Sequence, residues 1–370
     1  MKPIPLRLGL QQRVLADYRA PFFDALAEVC RGGLGLFVGQ PRADEMIETK
    51  ALLRSVQLTQ GYNVHIFSGS LYVYWQIGLV RWLEQWQPEA LILETNPRNL
   101  CVFQAVRWMK SRRRPVVGWG LGAPSSKRGM ANILQQAIRR RFILNYDALI
   151  TYSHQGAEEY QRLGFPAERI FVAPNAVVPS PRHPLPQRPS PAADFRPTVL
   201  FVGRLQKRKR VDLLLRACSA LEDTIRPRLW VVGDGPARRE LETLAQSVYP
   251  EASFLGARRG SELEPFFKAA DLFVLPGTGG LALQQAMAHG LPVIAAEADG
   301  TQSDLVRSKN GWRVQSGDLN GLIVSLSAAL SDISMLRRMG EESYRIVREE
   351  INLEKMVEVF VQAVRSVWSG

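Results

Sequence analysis

Three segments in the second half of this 370-residue chain carry residue types suited to a phosphate-bearing ligand. In VLFVGRLQKRKRVDLLLRA an apolar run ends at Gly203, and Arg204, Lys207, Arg208, Lys209 and Arg210 follow before a helical pattern resumes. Glycine permits a tight strand-to-helix turn, and cations beside a helix N-terminus suit phosphate oxygens. Arg204 could chelate a diphosphate while Lys209 supplies a point charge. A solvated basic loop fits the same residues. In LWVVGDGPARRELETLA a second run closes on Gly233, Asp234, Gly235 and Pro236, with proline placed for a helix start. Taken alone, those glycines read equally well as ordinary turn residues. In DLFVLPGTGGLALQQAMAHGLPVIAA a third run reaches Leu275, and a loop of Pro276, Gly277, Thr278, Gly279 and Gly280 opens a helix at Leu281 that His289 and Gly290 end. A glycine-rich loop feeding a helix leaves N–H groups free for an anion. Three such features at successive strand ends are far more specific than any one of them.

The elements that must hold these loops are parallel strands joined by crossover helices. Short runs rich in Val, Ile, Leu and Phe alternate with longer helical patterns through most of the chain. In the first half the predicted strands are 6–10, 34–38, 90–93, 115–119, 148–152 and 170–173. In the second they are 198–202, 228–232, 253–255, 272–275, 292–295 and 311–314. Between them PSPRHPLPQRPSPAADFRP concentrates seven prolines from Pro179 to Pro197, which reads as a stiff interdomain linker. The expected organisation is therefore an α/β domain over 1–178, a linker over 179–197 and a second α/β domain over 198–350. Helices are expected over 334–350 and 353–367, with residues 351–370 returning to pack on the first domain. Both domains read as doubly wound, and facing parallel sheets would put their ligand-binding strand ends at a shared cleft.

Composition narrows the function classes. The apolar fraction of 46% and charged fraction of 22% fit ordinary globular folds. Cys30, Cys101 and Cys218 are odd in number and widely spaced, matching neither a disulfide framework nor a CxxC metal site, so a reducing cytoplasm is expected. The start MKPIPLRLGLQQ lacks the apolar core of a secretory signal, and no window of about 20 apolar residues is present. His65, His154, His183 and His289 are dispersed, so no metal site is expected, and no GxSxG elbow points to hydrolysis. The net charge of +12 is concentrated: residues 1–190 hold 24 basic and 13 acidic residues, and 101–150 alone hold ten Lys or Arg against Asp147. Such a density implies an anionic partner or surface.

The first half also carries candidates for a second ligand. Asp17, Tyr18, Arg19 and Pro21 follow the first strand, where the crevice of a doubly wound sheet lies. Tyr18 and Arg19 could orient an acceptor or meet the donor phosphate across the cleft, or form only a capping turn before PFFDALAEV. In GMANILQQAIRRRFIL, Met130, Ile133, Leu134, Ile138 and Phe142 fall near one helical side and arginines on another. Upstream, LYVYWQIGLVRWLEQW gathers Tyr72, Tyr74, Trp75, Trp82 and Trp86. Aromatics beside cations suit an anionic membrane interface, and a core-facing helix with a solvated basic face fits as well.

The second half closely resembles the nucleotide-binding domain of GT-B fold glycosyltransferases, in particular the large retaining family numbered four. FVGRLQKRKRVDLLLRA is similar to that family's G-R-L-x-x-x-K-G motif, VVGDGPARRELETLA to its G-D-G-P turn, and PGTGGLALQQAMAHGLPVIAA to its E-x7-E region. The likeness is strong over about 195–335 and looser in the first half. It implies that Arg204 and Lys209 contact a donor diphosphate. It further implies that Gly203, Gly233, Gly235, Gly277, Thr278, Gly279, Gly280, Leu281 and Gln285 form the donor pocket. In GWGLGAP it puts Trp119 and Leu121 on the acceptor side with Tyr18 and Arg19. This sequence departs from the pattern at Gln285, where the family has its second glutamate, and at Gly277 or the loop around it, where the first belongs. Arg210 stands for the motif glycine, Leu121 for a histidine, and Asp304 for a glutamate in ADGTQSDLV.

The resemblance implies a retaining, metal-independent glycosyltransferase. It would use a UDP- or GDP-linked sugar and no further cofactor. The acceptor would be a glycan or a lipid-linked glycan, in cell-envelope or extracellular polysaccharide assembly. The expected location is cytoplasmic and peripheral to the inner membrane face. A catalytically weak or inactive homologue that binds nucleotide sugar or glycan and supports a partner fits the missing glutamates. A nucleic-acid binder is disfavoured, because the basic residues are not interleaved with a reading motif.

Overall fold

The computed structural model describes all residues except 1–2, 43–44, 46, 48, 50–51, 124–129, 183, 189–194, 299 and 369–370. Lys127, Arg128, His183 and residues 189–194 of the proline-rich run therefore lie outside the described residues, as do the side chains of Met130, Ile133 and Leu134.

The chain forms two compact units, Met1–Val177 with Leu353–Gly370, and Val178–Asn352. In the first unit the strands are β1 (Leu8–Val14), β2 (Leu34–Gly39), β3 (Gln57–Gln60), β4 (Tyr62–Ile66), β5 (Val73–Ile77), β6 (Ala90–Glu94), β7 (Val116–Gly120), β8 (Ala148–Thr151) and β9 (Ile170–Val172). In the second they are β10 (Thr198–Val202), β11 (Arg228–Val232), β12 (Ser253–Phe254), β13 (Leu272–Leu275), β14 (Val293–Ala296) and β15 (Gly311–Val314). The first unit's main sheet has the order β3-β2-β1-β6-β7-β8-β9, with β4 and β5 as a separate antiparallel pair; the second has β12-β11-β10-β13-β14-β15. Every pairing in the two main sheets is parallel. Strand order reverses beside β1 and again beside β10, so each sheet opens a crevice at the carboxyl ends of two central strands, β1 and β6 or β10 and β13.

Helices cover the sheets, which is why the central strands read as continuous apolar runs: β10 and β13 are buried at every residue. The helix Leu353–Val367 belongs to the first unit. Its Phe360 lies 4.8 Å, ring centroid to centroid, from both Phe22 and Trp119. Burying a phenylalanine fully contributes about 1.5–3 kcal/mol, which ties the last helix to that core.

The structure differs from the sequence reading in five places. Strand β1 runs on through Gln11 and Gln12, both buried. Gln11 Nε2 donates to Gln76 Oε1 at 2.5 Å, and Gln76 Nε2 donates to Gln12 O at 3.2 Å. Strands β3, β4 and β5 were not expected at all. Two rings of the aromatic segment belong to the core and a third is tied to it: Tyr74 and Trp82 are buried, and Trp86 Nε1 donates to Leu8 O at 2.9 Å. On the helix Met130–Ile143, Phe142 is buried while Ile138 is 59% exposed. Finally, the proline-rich run is no free spacer up to Arg188. That guanidinium donates to the carbonyls of Ala270, Gly290, Phe267 and His289, at the C-terminal ends of two helices. Burial, aided by nearby Arg337, lowers the Arg188 pKa to about 10.

Candidate active site

In the second unit three loops converge at the carboxyl ends of adjacent strands. The loop after β10 carries Gly203, Arg204 and Lys209, and the loop after β11 carries Gly233 and Gly235. Backbone hydrogen bonds interlock them: Gly203 N–H donates to Val232 O at 3.0 Å, Leu205 N–H to Asp234 O at 2.9 Å, and Ala237 N–H to Leu205 O at 3.0 Å. Gly233 has φ +146°, and a Cβ there would collide with Gly203 O. The glycines of the GDGP turn thus serve the close approach of two backbones. That role is compatible with a ligand site but is not itself ligand contact.

The third loop, after β13, closes on the other side of β10. Thr278 N–H donates to Arg208 O at 3.1 Å, and Arg208 Nη1 donates to Thr278 Oγ1 at 3.0 Å. Lys209 Nζ donates to Thr278 O at 2.6 Å. Gly279 has φ +130°, and a Cβ at that position would occupy the place of the Lys209 ammonium. The loop is therefore shaped around this cation. Arg204 and Lys209 are both half-buried, so their charges are only partly screened by water.

The helix Leu281–Ala288 continues from Gly280 and carries two adjacent glutamines with different duties. Gln284 is buried and donates to Ile351 O at 3.2 Å, a structural tie. Gln285 is half-buried; its backbone carbonyl oxygen lies 2.8 Å from His289 Nδ1, while its side-chain amide makes no hydrogen bond among the described residues. His289 stacks on Phe267 at 5.1 Å, and burial lowers its pKa. Gln302, fully buried, donates to Gly279 O at 2.9 Å and fixes the loop from behind. The sequence reading passed over Gln302 in favour of Asp304. Arg210 stands in the left-handed region at φ +52°, and its guanidinium meets the Asp212 carboxylate at 3.2 Å.

In the first unit the residues after β1 form an aromatic box around a cation. The Arg19 guanidinium lies 4.5 Å from the Trp119 ring, 5.2 Å from Tyr152 and 5.4 Å from Tyr18, and its Nη2 donates to the Tyr152 hydroxyl at 2.8 Å. Cation–π contacts contribute about 0.5–2 kcal/mol each, more when desolvated, so the box sets the direction of Arg19. Trp119 is buried and acts through Arg19, whereas Tyr18 is 42% exposed and Leu121, on the loop closing β7, 52% exposed. Close by in the sheet, Glu94 ends β6. It accepts from Arg13 N–H at 3.0 Å and from the Tyr74 hydroxyl at 3.2 Å, and burial raises its pKa. The sequence reading missed it; its signal was an acid closing the apolar strand LILE.

Among the described residues no three His, Cys, Asp or Glu side chains gather in a metal-holding group, and no single helix is long and apolar enough to cross a membrane. The three cysteines are buried and free.

Comparison with known proteins points to one family. Residues 196–332 match the family profile described as glycosyl transferases group 1, and residues 7–176 match the glycosyl transferase 4-like domain. The chain is 25% identical over 308 residues to the lipopolysaccharide core biosynthesis glycosyltransferase LpsE of Rhizobium meliloti, covering 77% of this chain and 87% of that protein. It is 38% identical over 148 residues to a GDP-mannose-dependent alpha-mannosyltransferase of Mycolicibacterium smegmatis, 39% of this chain and 36% of that one. Among solved structures, Anabaena HepE in complex with UDP superposes with a TM-score of 0.70 at 16% identity, covering 99% of this chain and all of that one.

Proposed function

Because the chain belongs to the group 1, family 4 glycosyltransferases of GT-B fold, we propose that it moves a sugar, with retention of configuration and without a metal, from a nucleotide-diphosphate donor to a glycan or lipid-linked acceptor. Cell-envelope or extracellular polysaccharide assembly, at the cytoplasmic face of a membrane, is the setting we assign. The observation that carries the reading is the clamp at the carboxyl ends of β10 and β13, where Lys209 Nζ is held on Thr278 O and Arg204 stands on the same loop. The relatives support it: LpsE acts in lipopolysaccharide core synthesis by name, the mycobacterial relative takes GDP-mannose, and the HepE crystal holds UDP.

In the proposed reaction the bond between the anomeric carbon and the donor phosphate oxygen breaks, and the acceptor hydroxyl oxygen bonds to the same face of that carbon. The hydroxyl proton passes to the departing diphosphate. The negative charge that develops on the leaving oxygens is the quantity this protein must stabilise, and preorganised cations do so best where water is scarce. Arg204 and Lys209 take that role. The free N–H groups at Gly279, Gly280 and Leu281 face the same diphosphate, and the Gln285 amide hydrogen-bonds the ribose in place of a carboxylate. To the first unit we assign the acceptor, with Tyr18, Arg19 and Leu121 as contacts and Trp119 as the platform under Arg19.

The test is turnover with a panel of α-linked UDP- and GDP-sugars and lipid-linked or core-glycan acceptors, following nucleoside diphosphate release and reading the product anomer by NMR. An α-linked product is expected. A β-linked product contradicts retention. Tight nucleotide-sugar binding with no turnover on any acceptor favours the non-catalytic reading, for which the amide at Gln285 is the specific observation.

A further inference from the structure

The first unit has a second concavity, at the amino ends of its strands and so at the opposite sheet edge from Tyr18, Arg19 and Leu121. Its volume is about 560 Å³, and Lys110, Arg113, Arg114, Asp147, Arg169 and Ser366 are among the residues that line it. Volumes of about 300–1,000 Å³ are usual for small-ligand sites. Asp147 immediately precedes β8, Arg169 immediately precedes β9, and Lys110 ends the helix Val102–Lys110.

Its charge is not locally balanced. Lys110, Arg113 and Arg169 take part in no ion pair or side-chain hydrogen bond among the described residues. Asp147 Oδ2 is engaged by Val116 N–H at 2.8 Å. Two helix C-termini, at Lys110 and at Val367, face this end, each worth roughly half a negative charge. Four cations against one carboxylate and two such ends leave a surplus of about two positive charges, the complement of a phosphate dianion. One of the cations is fixed in place. Arg114 Nη1 is fixed on Gln87 Oε1 at 3.0 Å and Pro88 O at 3.1 Å, and Arg113 sits in the left-handed region at φ +55°. A non-glycine residue there costs about 1–2 kcal/mol, so the turn keeps an arginine at a backbone position that glycine would occupy more cheaply.

We propose that this basin is a binding site for a phosphate dianion, borne either by a soluble phosphorylated compound or by an anionic lipid headgroup. It is separate from the clamp in the second unit and does not depend on the assignment made there. The test uses the full chain carrying Arg204→Ala and Lys209→Ala, so that phosphate binding at the clamp is removed. One arm is calorimetry with inorganic pyrophosphate; the other is co-sedimentation with phosphatidylcholine vesicles with and without phosphatidic acid, whose headgroup is a phosphomonoester. Each is repeated after adding Arg113→Gly with Arg169→Gln, and separately Lys110→Gln. Arg113→Gly suits the left-handed backbone and keeps the fold, which a melting temperature no lower than that of the parent chain checks.

A single pyrophosphate site weakened at least tenfold by the added substitutions is expected. If vesicle binding is indifferent to them, the ligand is a soluble phosphate. If phosphatidic acid-dependent binding is lost with them and pyrophosphate competes, the source is the lipid headgroup. Binding in both arms that is absent, or unchanged by all three substitutions, overturns the proposal.

Discussion

The Lys209 ammonium lies 2.6 Å from the carbonyl oxygen of Thr278, across the two loops that close β10 and β13. One hydrogen bond thus links the basic loop to the glycine-rich loop and sets where a positive charge stands at the crevice of the second unit. Its surroundings are built for it: Gly277 packs against the Arg208–Lys209 backbone, and Gly279 leaves room for the ammonium.

The glycines of these loops are therefore expected to be intolerant for steric reasons. Gly233→Ala and Gly277→Ala place a methyl group against Gly203 O and Arg208 O respectively, and each is expected to cost on the order of 1–3 kcal/mol. Urea unfolding would register that loss, and nucleotide affinity would fall with it. A variant at either position with unchanged stability would show that the loops are not held as closely as described.

Arg210 offers the opposite case. It occupies a left-handed conformation, and its ion pair with Asp212 is exposed by more than a third on both sides. Such a pair contributes little, about 0–1 kcal/mol, while the conformation costs about 1–2 kcal/mol. Arg210→Gly is therefore expected to leave stability unchanged or raise it by about 0.5–1 kcal/mol. A clear loss in thermal unfolding would mean that the arginine makes a contact worth more than the strain.

His289 gives a pH dependence with a definite sign. Burial against Phe267 depresses its pKa below 6.5, so the folded chain favours the neutral ring. The stability it contributes is complete above pH 6.5 and is lost as pH falls through the folded value. Wild type is expected to lose more stability than His289→Gln between pH 7 and the acid side of that window, as read by urea unfolding at each pH. Parallel losses in the two proteins would contradict the assignment.

The box around Arg19 predicts a separation of binding functions. Tyr152→Phe removes the hydroxyl that accepts from Arg19 at 2.8 Å; a hydrogen bond to a charged group is worth about 1.5–3 kcal/mol. The KM for the acceptor is expected to rise about tenfold or more while nucleotide affinity stays as in wild type. A change confined to nucleotide affinity would remove Arg19 from the acceptor side.

How much of this was legible in the sequence follows from where each signal is written. The central strands TVLFV and LFVL were legible because burial on both faces demands unbroken apolar runs. The edge strand Gln57–Gln60 is polar and mostly exposed, so no apolar signal marks it. Gln11 and Gln12 read as a strand end, yet both are buried in β1, because their partners Gln76 and Glu94 lie more than sixty residues away. Likewise Tyr74 and Trp82 are core residues that neighbouring cations made look interfacial. At the site, the glycines and cations were visible as composition. The reason Gly233 must be glycine, and the return of Gln302 onto Gly279, depend on contacts between distant segments.

The measurement that tests the central claim most directly is calorimetric titration of the chain with UDP, GDP and their sugars, comparing wild type with Arg204→Ala and Lys209→Ala. Selective binding of one nucleotide base, weakened about tenfold or more in each variant, is the expected result. Equal affinity in all three proteins, or no nucleotide binding by wild type, would contradict a donor clamp at the ends of β10 and β13.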